Sequence, residues 1–113
     1  MKISNKTAAH FTWGNGCDGW WLLKQDAFSV IEEVMPPNTA EISHYHQNTE
    51  QFFYCLEGQL EIDMTASQHK LEPGEGLHIQ AGAIHKAKNT STVPVRFMVI
   101  SSPYSHSDRV DVE

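Results

Sequence analysis

The chain has 113 residues, of which 40% are hydrophobic and 19% are charged, a composition typical of one globular domain and not of a disordered chain. Its formal net charge is -6, from 8 basic and 14 acidic residues, so nucleic acid and anionic membranes are not expected as partners. We therefore expect residues 1–113 to form a single domain.

The chain shows no sign of membrane insertion or export. No stretch reaches the roughly 20 consecutive apolar residues that a membrane helix needs. Residues 1–7 lack the apolar core of a secretory signal. We therefore expect a cytoplasmic protein, in which the two cysteines, Cys17 and Cys55, are free thiols. Cys55 stands among apolar residues, which favours a small buried hydrophobic residue over a nucleophile.

Residues 1–27 lack a regular strand pattern. Three Gly and three Trp are mixed between Trp13 and Trp21. We expect this N-terminal segment to form a loop whose indole rings pack on the rest of the domain or on a second subunit.

From residue 28 onward, short strand-like runs recur between Gly, Pro and Asn turn signals, which predicts an all-β sandwich or barrel with little or no helix. The barrel is expected to span residues 28–103, and the tail from Ser101 is polar. The run 51–56 is apolar on both faces, which indicates a strand that is buried on both sides or lies at a subunit contact. The predicted strands cover residues 28–35, 40–46, 51–56, 60–64, 77–79, 85–89 and 93–100, with a short return strand that ends before Pro73.

Three histidines form a candidate metal site. His44 and His46 are two apart in a predicted strand, so their side chains share one face and both imidazoles can reach one ion at about 2.0–2.2 Å. Such a pair alone is as readily a chance pairing as a metal site. Its context favours a site, because Glu50 or Gln51 follows as an oxygen ligand and His85 follows a Gly turn downstream.

The spacing of these residues resembles the first conserved motif of the cupin superfamily. That motif reads Gly, five residues, His-x-His, three or four residues, Glu, six residues, Gly. This chain has His44-x-His46, four residues, Gln51, six residues and Gly58, so the motif occupies residues 44–58.

The second cupin motif is also matched, over residues 74–89. It reads Gly, five residues, Pro-x-Gly, two residues, His, three residues, Asn. The corresponding positions of this chain are Gly74, Gln80, Gly82, His85 and Asn89. The resemblance is specific because several ligand types fall at fixed offsets in both motifs.

Three positions depart from the motifs: Asn38 replaces the opening Gly, Gln80 replaces the Pro, and Gln51 replaces the usual Glu ligand. Glu50 would satisfy the shorter allowed gap after His46, but it would leave seven residues before Gly58 instead of six. A slip of one residue turns a side chain to the other face of a strand. We therefore favour Gln51 over Glu50 as the fourth ligand.

The resemblance implies a double-stranded β-helix, a jelly-roll barrel of two antiparallel sheets. It also implies one divalent transition-metal ion inside the barrel, with zinc, nickel, iron, manganese and copper not distinguished. Some cupins use a His-His-Gln-His set, a bacterial polyketide cyclase family among them. Homodimers whose N-terminal segments pack across the two subunits are frequent among cupins, and the Trp-rich start of this chain is compatible with such packing. The ligands implied here are His44, His46, Gln51 and His85.

A glutamine ligand would change the chemistry of such a site. Gln51 brings no charge, so a divalent ion would keep its full positive charge and act as a stronger Lewis acid. This predicts a metal-dependent enzyme that polarises a small oxygen-rich substrate, of the cyclase, isomerase or dioxygenase type. The alternative is a non-catalytic module that binds a sugar or another small molecule.

Further residues are candidates on weaker grounds. Glu33 and His78 could serve as a general base if their strands line the barrel, and otherwise are solvated surface residues. Asp108 and Arg109 are expected to form an exposed ion pair of little stability. The remaining histidines are expected on the surface: His10, His69 and His106. The candidates for apolar pocket walls, which core packing explains equally well, are Phe53, Met35 and Phe97.

Overall fold

The computed structural model describes residues 1–104 and 108–112, and within them the chain folds into strands without a helix. The strands in chain order are β1 (Ala9–Trp13), β2 (Cys17–Lys24), β3 (Ser29–Met35), β4 (Thr39–Ala40), β5 (His44–His46), β6 (Glu50–Glu57), β7 (Leu60–Met64), β8 (Gln68–Leu71), β9 (Gly76–Ile79), β10 (His85–Asn89), β11 (Val95–Ser102) and β12 (Arg109–Asp111). No helix in this part of the chain is long and apolar enough to cross a membrane.

The strands form two antiparallel sheets. The first sheet has the order β1-β2-β3-β11-β6-β9, and the second has the order β12-β5-β10-β7-β8, with β4 also paired to β10. Neighbours in a sheet are often distant in sequence, because the chain crosses repeatedly from one sheet to the other. This is the double-stranded β-helix that the motifs implied, and the prediction of an all-β fold of two sheets is confirmed.

The core lies between the sheets and follows the alternation of strand side chains. On β11, Val95, Phe97 and Val99 are buried while the residues between them are partly exposed. Leu60 and Ile62 on β7 are fully buried opposite them. Burial of each such side chain stabilises the folded state by about 1.5–3 kcal/mol. Both cysteines are free, as predicted. Cys55 is buried as expected, Cys17 is buried as well, and burial raises the pKa of each thiol.

Two motif turns require left-handed backbone. Gly58 has a φ of 83°, and a Cβ there would lie 2.6 Å from the carbonyl oxygen of Pro94, so both conformation and space select glycine. Asn38 has a φ of 61°. Asparagine tolerates this region better than other side chains do, which explains how it can replace the opening glycine of the first motif.

The predicted strand over residues 40–46 is interrupted, which corrects the expectation of one continuous strand. The structure has β4 and β5 instead, separated at residues 41–43. At this break the Glu41 N–H donates to the Ala87 carbonyl oxygen, while the Ala87 N–H donates to Glu41 Oε1 at 3.0 Å. A side-chain oxygen thus accepts the hydrogen bond that a backbone carbonyl would accept in a regular ladder.

The N-terminal segment is a hairpin, so the expectation of a loop was wrong. β1 and β2 pair with each other, and β2 pairs with β3 and extends the first sheet. The glycines supply the tight turn, where Gly14 and Gly16 have positive φ, and they supply space at Gly19. Phe11 lies directly across from Gly19, and its ring occupies the place where a Cβ would be.

The C-terminal tail is also more ordered than its polar composition indicated. β12 pairs with β5, with Arg109 opposite His46 and Asp111 opposite His44. The expected ion pair between Asp108 and Arg109 was wrong: Arg109 Nε donates to Asp111 Oδ1 at 2.8 Å, and Asp108 binds residues of the histidine-bearing segment. His106 lies outside the described residues.

We predict that Gly19→Ala destabilises the protein by about 1–3 kcal/mol, because the added methyl group and the Phe11 ring cannot occupy the same space. Urea unfolding measures this loss. The control is the same substitution in a Phe11→Ala background, where it should cost less than about 0.5 kcal/mol. An equal cost in both backgrounds would show that the ring contact is not the cause.

Candidate metal centre

Three strands bring the four predicted ligands to one place between the sheets. β5 carries His44 and His46, His85 begins β10, and Gln51 is the second residue of β6. His44 and His85 are directly opposed in the antiparallel pairing of β5 with β10. All four side chains are buried, with exposed fractions of 2% for His44, 6% for His46, 8% for Gln51 and 1% for His85.

The ring nitrogens of the three histidines converge. One nitrogen from each of His44, His46 and His85 lies within 4.8 Å of the others, an arrangement that could hold a metal ion. Gln51 Oε1 lies 3.2 Å from His85 Nε2. Gln51 Nε2 donates to Ser101 Oγ at 3.0 Å, so the amide oxygen is the atom that faces the histidines.

Glu50 points in the opposite direction. Its carboxylate accepts a hydrogen bond from His78 Nε2 at 2.8 Å, and both side chains are more than half exposed. The structure therefore brings Gln51, and not Glu50, to the histidines, as strand alternation predicts. The same contact corrects the suggestion of His78 as a general base, because its ring lies on the outer surface of β9.

The backbone and one carboxylate fix the tautomer of each imidazole. His44 Nδ1 donates to the Ile42 carbonyl oxygen at 2.8 Å, and His85 Nδ1 donates to that of Ala83 at 2.9 Å. His46 Nδ1 donates to Asp108 Oδ1 at 3.0 Å. With Nδ1 occupied in every ring, the Nε2 lone pairs remain available, which is the arrangement that metal-bound histidines adopt.

Burial keeps these imidazoles neutral. It lowers the pKa of His44 to about 3 and lowers the pKa values of His46 and His85 as well. A neutral His85 that donates through Nδ1 presents a lone pair at Nε2, and the facing Gln51 Oε1 also presents one. Two lone pairs at this distance repel each other unless a cation accepts both. The donor set therefore fits a metal ion.

Asp108 is a site residue that the sequence analysis missed. Besides His46, it accepts hydrogen bonds from the N–H groups of Asn48 and Thr49, both at 2.9 Å. Burial acts to raise the pKa of Asp108, but these hydrogen bonds outweigh it and hold the pKa below its usual value. The carboxylate lies 62 positions from His46 in the sequence, so no local pattern could connect them.

A cavity of about 380 Å³ adjoins the histidines. Its apolar walls come from β1, β3 and β11, and not from the three residues that the sequence suggested. Met35, Phe53 and Phe97 are core residues, and Phe53 packs edge-on against the His85 ring with centroids 5.9 Å apart. The residues that line the cavity are Phe11, Thr12, Trp13, Ile31, Glu33, Glu41, His44, His46, Gln51, Val99 and Arg109.

Two carboxyl groups share this cavity with one guanidinium. Burial, together with the charge of Glu41, raises the pKa of Glu33 well above its usual value, and Arg109 opposes the shift. Burial raises the pKa of Glu41 to about 7, against the Ala87 N–H and Arg109, whose Nη1 lies 3.7 Å away. Glu33 thus faces the site. This is the first of the two positions that the sequence left open for it, inside the barrel or on the solvated surface.

The other histidines in the described residues lie toward solvent. His10 binds Asp18 at 2.8 Å on the exposed hairpin, and His69 binds the Ser67 hydroxyl on β8. The expected surface position is confirmed for His10, whereas His69 is partly buried on the face of β8 that also carries Leu71.

Comparison with known proteins agrees with this architecture. The family model described as "Cupin domain" matches residues 31–101. The chain belongs to the cupin family. It is 35% identical over 75 residues to an uncharacterized protein of Aquifex aeolicus, covering 66% of this chain and 62% of that one. It is 34% identical over 58 residues to quercetin 2,3-dioxygenase of Bacillus subtilis, covering 51% of this chain and 17% of that one.

Among solved structures, the polyketide cyclase RemF from Streptomyces resistomycificus superimposes on this cupin with a TM-score of 0.87. The match covers 100% of this chain and 85% of that one at 19% sequence identity, which establishes the shared fold alone. The chain spans less than two thirds of the length of the two relatives above.

We predict that Asp108→Asn weakens zinc binding by about 10–100-fold, because His46 loses the carboxylate that fixes its tautomer and orientation. Competition with a chromophoric chelator measures the affinity. Asp18→Asn is the matched control, since it removes the partner of the exposed His10. Equal effects of the two variants would contradict the role given to Asp108.

We predict that Glu41 makes the metal-free protein less stable as pH rises. Its folded-state pKa of about 7 exceeds the unfolded value of 4.5, so the protonated form favours folding, and that stability is lost as pH rises from about 4.5 through 7. Glu41→Gln should therefore be more stable than the parent by about 1–3 kcal/mol at pH about 8.5, and the difference should shrink at pH about 5. Urea unfolding at several pH values checks this, with the exposed Glu50→Gln as control. A difference that does not change with pH would contradict the prediction.

Proposed function

We propose that this cupin is a metal-dependent enzyme that polarises an oxygen of a small oxygen-rich substrate. One divalent transition-metal ion would be held by His44, His46 and His85, with Gln51 as the fourth ligand. The observation that carries the proposal is the convergence of three buried imidazole nitrogens on the wall of a cavity. A homodimer is part of the proposal as well, and light scattering tests it.

The ligand set favours polarisation chemistry. Three neutral imidazoles and an amide oxygen leave the positive charge of a divalent ion uncompensated, and such an ion would supply a Lewis acid for a carbonyl or hydroxyl oxygen. Zinc, nickel, iron, manganese and copper all accept ligands of these types. Cyclisation, isomerisation and dioxygenation are the reaction classes considered, and relatives whose names describe a cyclase and a dioxygenase support this range.

The protein's own residues prepare the site for a small molecule. The cavity of about 380 Å³ lies within the range typical of small-molecule sites. Phe11 and Trp13 contribute aromatic side chains to one wall of this cavity. Ser101 orients the Gln51 amide, and Asp108 orients His46. These contacts fix the ligand atoms before a metal or substrate arrives, which reduces the reorganisation that binding requires.

Metal content tests the proposal. Protein purified without chelator should contain about one transition-metal ion per chain by elemental analysis, and His85→Ala should lose it, because the remaining ligands cannot complete a tetrahedral site. His78→Ala, which removes an exposed ring, is the control and should keep the metal. Protein without stoichiometric metal, or equal loss in both variants, would refute the proposal.

Gln51→Glu tests the charge argument in the same assay. The added carboxylate should tighten metal binding by about tenfold or more and should weaken the ion as a Lewis acid. Zinc competition measures the affinity. The pH midpoint of the visible spectrum of the cobalt-loaded protein, which should rise, measures the acidity. Unchanged metal affinity and an unchanged pH midpoint would show that Gln51 does not act as a ligand.

A separate measurement, turnover of a substrate, would distinguish an enzyme from a non-catalytic binding module.

A further inference from the structure

Glu33 occupies an inward position that strand pairing fixes. On β3 it lies directly opposite Gly19 of β2 and Phe97 of β11. Opposed residues in antiparallel strands point to the same face, and Phe97 is fully buried between the sheets. The Glu33 carboxyl group therefore projects toward the interior, where it lines the same cavity as His44 and His46.

The surroundings of this carboxyl group are apolar on the side of β2. Gly19 has no side chain that could cover Glu33, and the Phe11 ring lies over Gly19 and lines the cavity. Ile31 and Val99 line it as well. A carboxyl group among apolar side chains loses hydration, which makes it a stronger proton acceptor when ionised.

The charged groups that face Glu33 come from three other parts of the chain. Glu41 and Arg109 act on it electrostatically, and the Cys17 thiol at the start of β2 lies within range of its charge. Glu41 is already engaged with the Ala87 N–H and Arg109, and Arg109 is engaged with Asp111. Glu41 therefore already has a structural role in the sheet. The pKa of Glu33, by contrast, is set by burial and by the charges of Glu41 and Arg109.

A purely structural role does not explain why the Glu33 carboxyl group lies in the cavity wall. Buried acidic side chains are usually paired or fully hydrogen-bonded, because an isolated one is costly. Glu33 instead stands in a cavity wall beside a candidate metal centre. Titratable groups with such surroundings in a cavity are typical of residues that move protons.

We propose that Glu33 is the catalytic proton-transfer residue of the site, and that the substrate is a carbon acid, a small molecule with a C–H bond next to a carbonyl group. This inference rests on the proposed metal-dependent function and narrows its substrate class. The carbonyl oxygen would lie on the histidine side of the cavity, and the C–H bond would face Glu33.

The proton balance of this step is simple. The Glu33 carboxylate takes the proton from carbon, the C–H electron pair becomes a carbon–carbon double bond, and the carbonyl π pair moves onto oxygen. In an isomerisation of an α-hydroxycarbonyl compound, the hydroxyl proton on the deprotonated carbon moves to the enolate oxygen and that carbon becomes the new carbonyl. Glu33 then gives its proton to the former carbonyl carbon. In a cyclisation, the nucleophilic carbon attacks a second carbonyl of the same molecule, and Glu33 gives the proton to the resulting alkoxide. Both outcomes are redox-neutral and need no oxidant, so the inference favours these classes over dioxygenation.

Hydrogen–deuterium exchange tests the proposal without knowledge of the natural substrate. Zinc-loaded protein in D₂O is incubated with dihydroxyacetone and with acetylacetone, and loss of the α-hydrogen signal is followed by NMR. The parent protein should accelerate exchange above the rate with an equal concentration of free zinc. Glu33→Gln should lose about 100-fold or more of that acceleration. Glu33→Asp should keep part of it, since a carboxylate remains.

Two further readouts separate a catalytic role from a structural one. Glu33→Gln should bind zinc as tightly as the parent, and its exchange rate should lose the rise with pH that the parent shows. In metal-free protein, the carboxyl carbon signal that disappears in Glu33→Gln should titrate above the ordinary glutamate range. Glu50→Gln, which removes an exposed carboxylate, is the matched control and should change none of these properties.

The outcomes are distinguishable. Equal exchange by the parent and Glu33→Gln, with zinc bound to both, would overturn the role of Glu33 and leave the metal-dependent function intact. Absence of acceleration by the zinc-loaded parent protein with both probes would overturn the assignment to carbon acids. An ordinary titration of the Glu33 carboxyl group would also overturn the proposal. Failure of the parent protein to bind zinc or another transition metal would instead refute the proposed function itself.

Discussion

The pairing of β5 with β10 is the constraint on which the site depends. It places His44 directly opposite His85, and alternation along β5 brings His46 to the same inner face. The Nδ1 atoms of His44 and His85 are held by carbonyl oxygens two residues earlier in their own segments, at Ile42 and Ala83. The local chain therefore fixes ring orientation as well as position, and only His46 requires help from a distant residue.

That help comes from the end of the chain. Asp108 joins His46 to the N–H groups of Asn48 and Thr49, and β12 then pairs along the outer side of β5. The same segment delivers Arg109 to the cavity, beside Glu41. The C-terminal residues thus contribute to both sides of the site, the imidazoles and the carboxyl groups, although they lie outside the residues matched by the family model.

Local pattern was sufficient to predict much of the fold and part of the site. β7 and β10 begin and end at the predicted residues, because alternation and turn residues define them locally. The inward position of Gln51 followed from the spacing of the motif, which selects Gln51 over Glu50, together with the alternation of strand side chains. The hairpin of β1 and β2 was missed because Gly and Trp have no two-residue alternation, and it became visible only through pairing with β3. Asp108, Glu41 and the cavity-lining Phe11 were missed because contacts across the barrel define their roles, and a single sequence holds no record of such contacts.

The break between β4 and β5 makes one carboxylate serve two purposes. Glu41 Oε1 accepts the Ala87 N–H in place of a backbone carbonyl, and the same side chain lines the cavity. Ala87 lies two residues beyond His85 on β10, so the protonation of Glu41 and the anchoring of the third histidine are mechanically connected. Gain or loss of a proton at Glu41 therefore changes the hydrogen bonding of the strand that carries His85, because the same carboxyl group faces the cavity and accepts the Ala87 N–H.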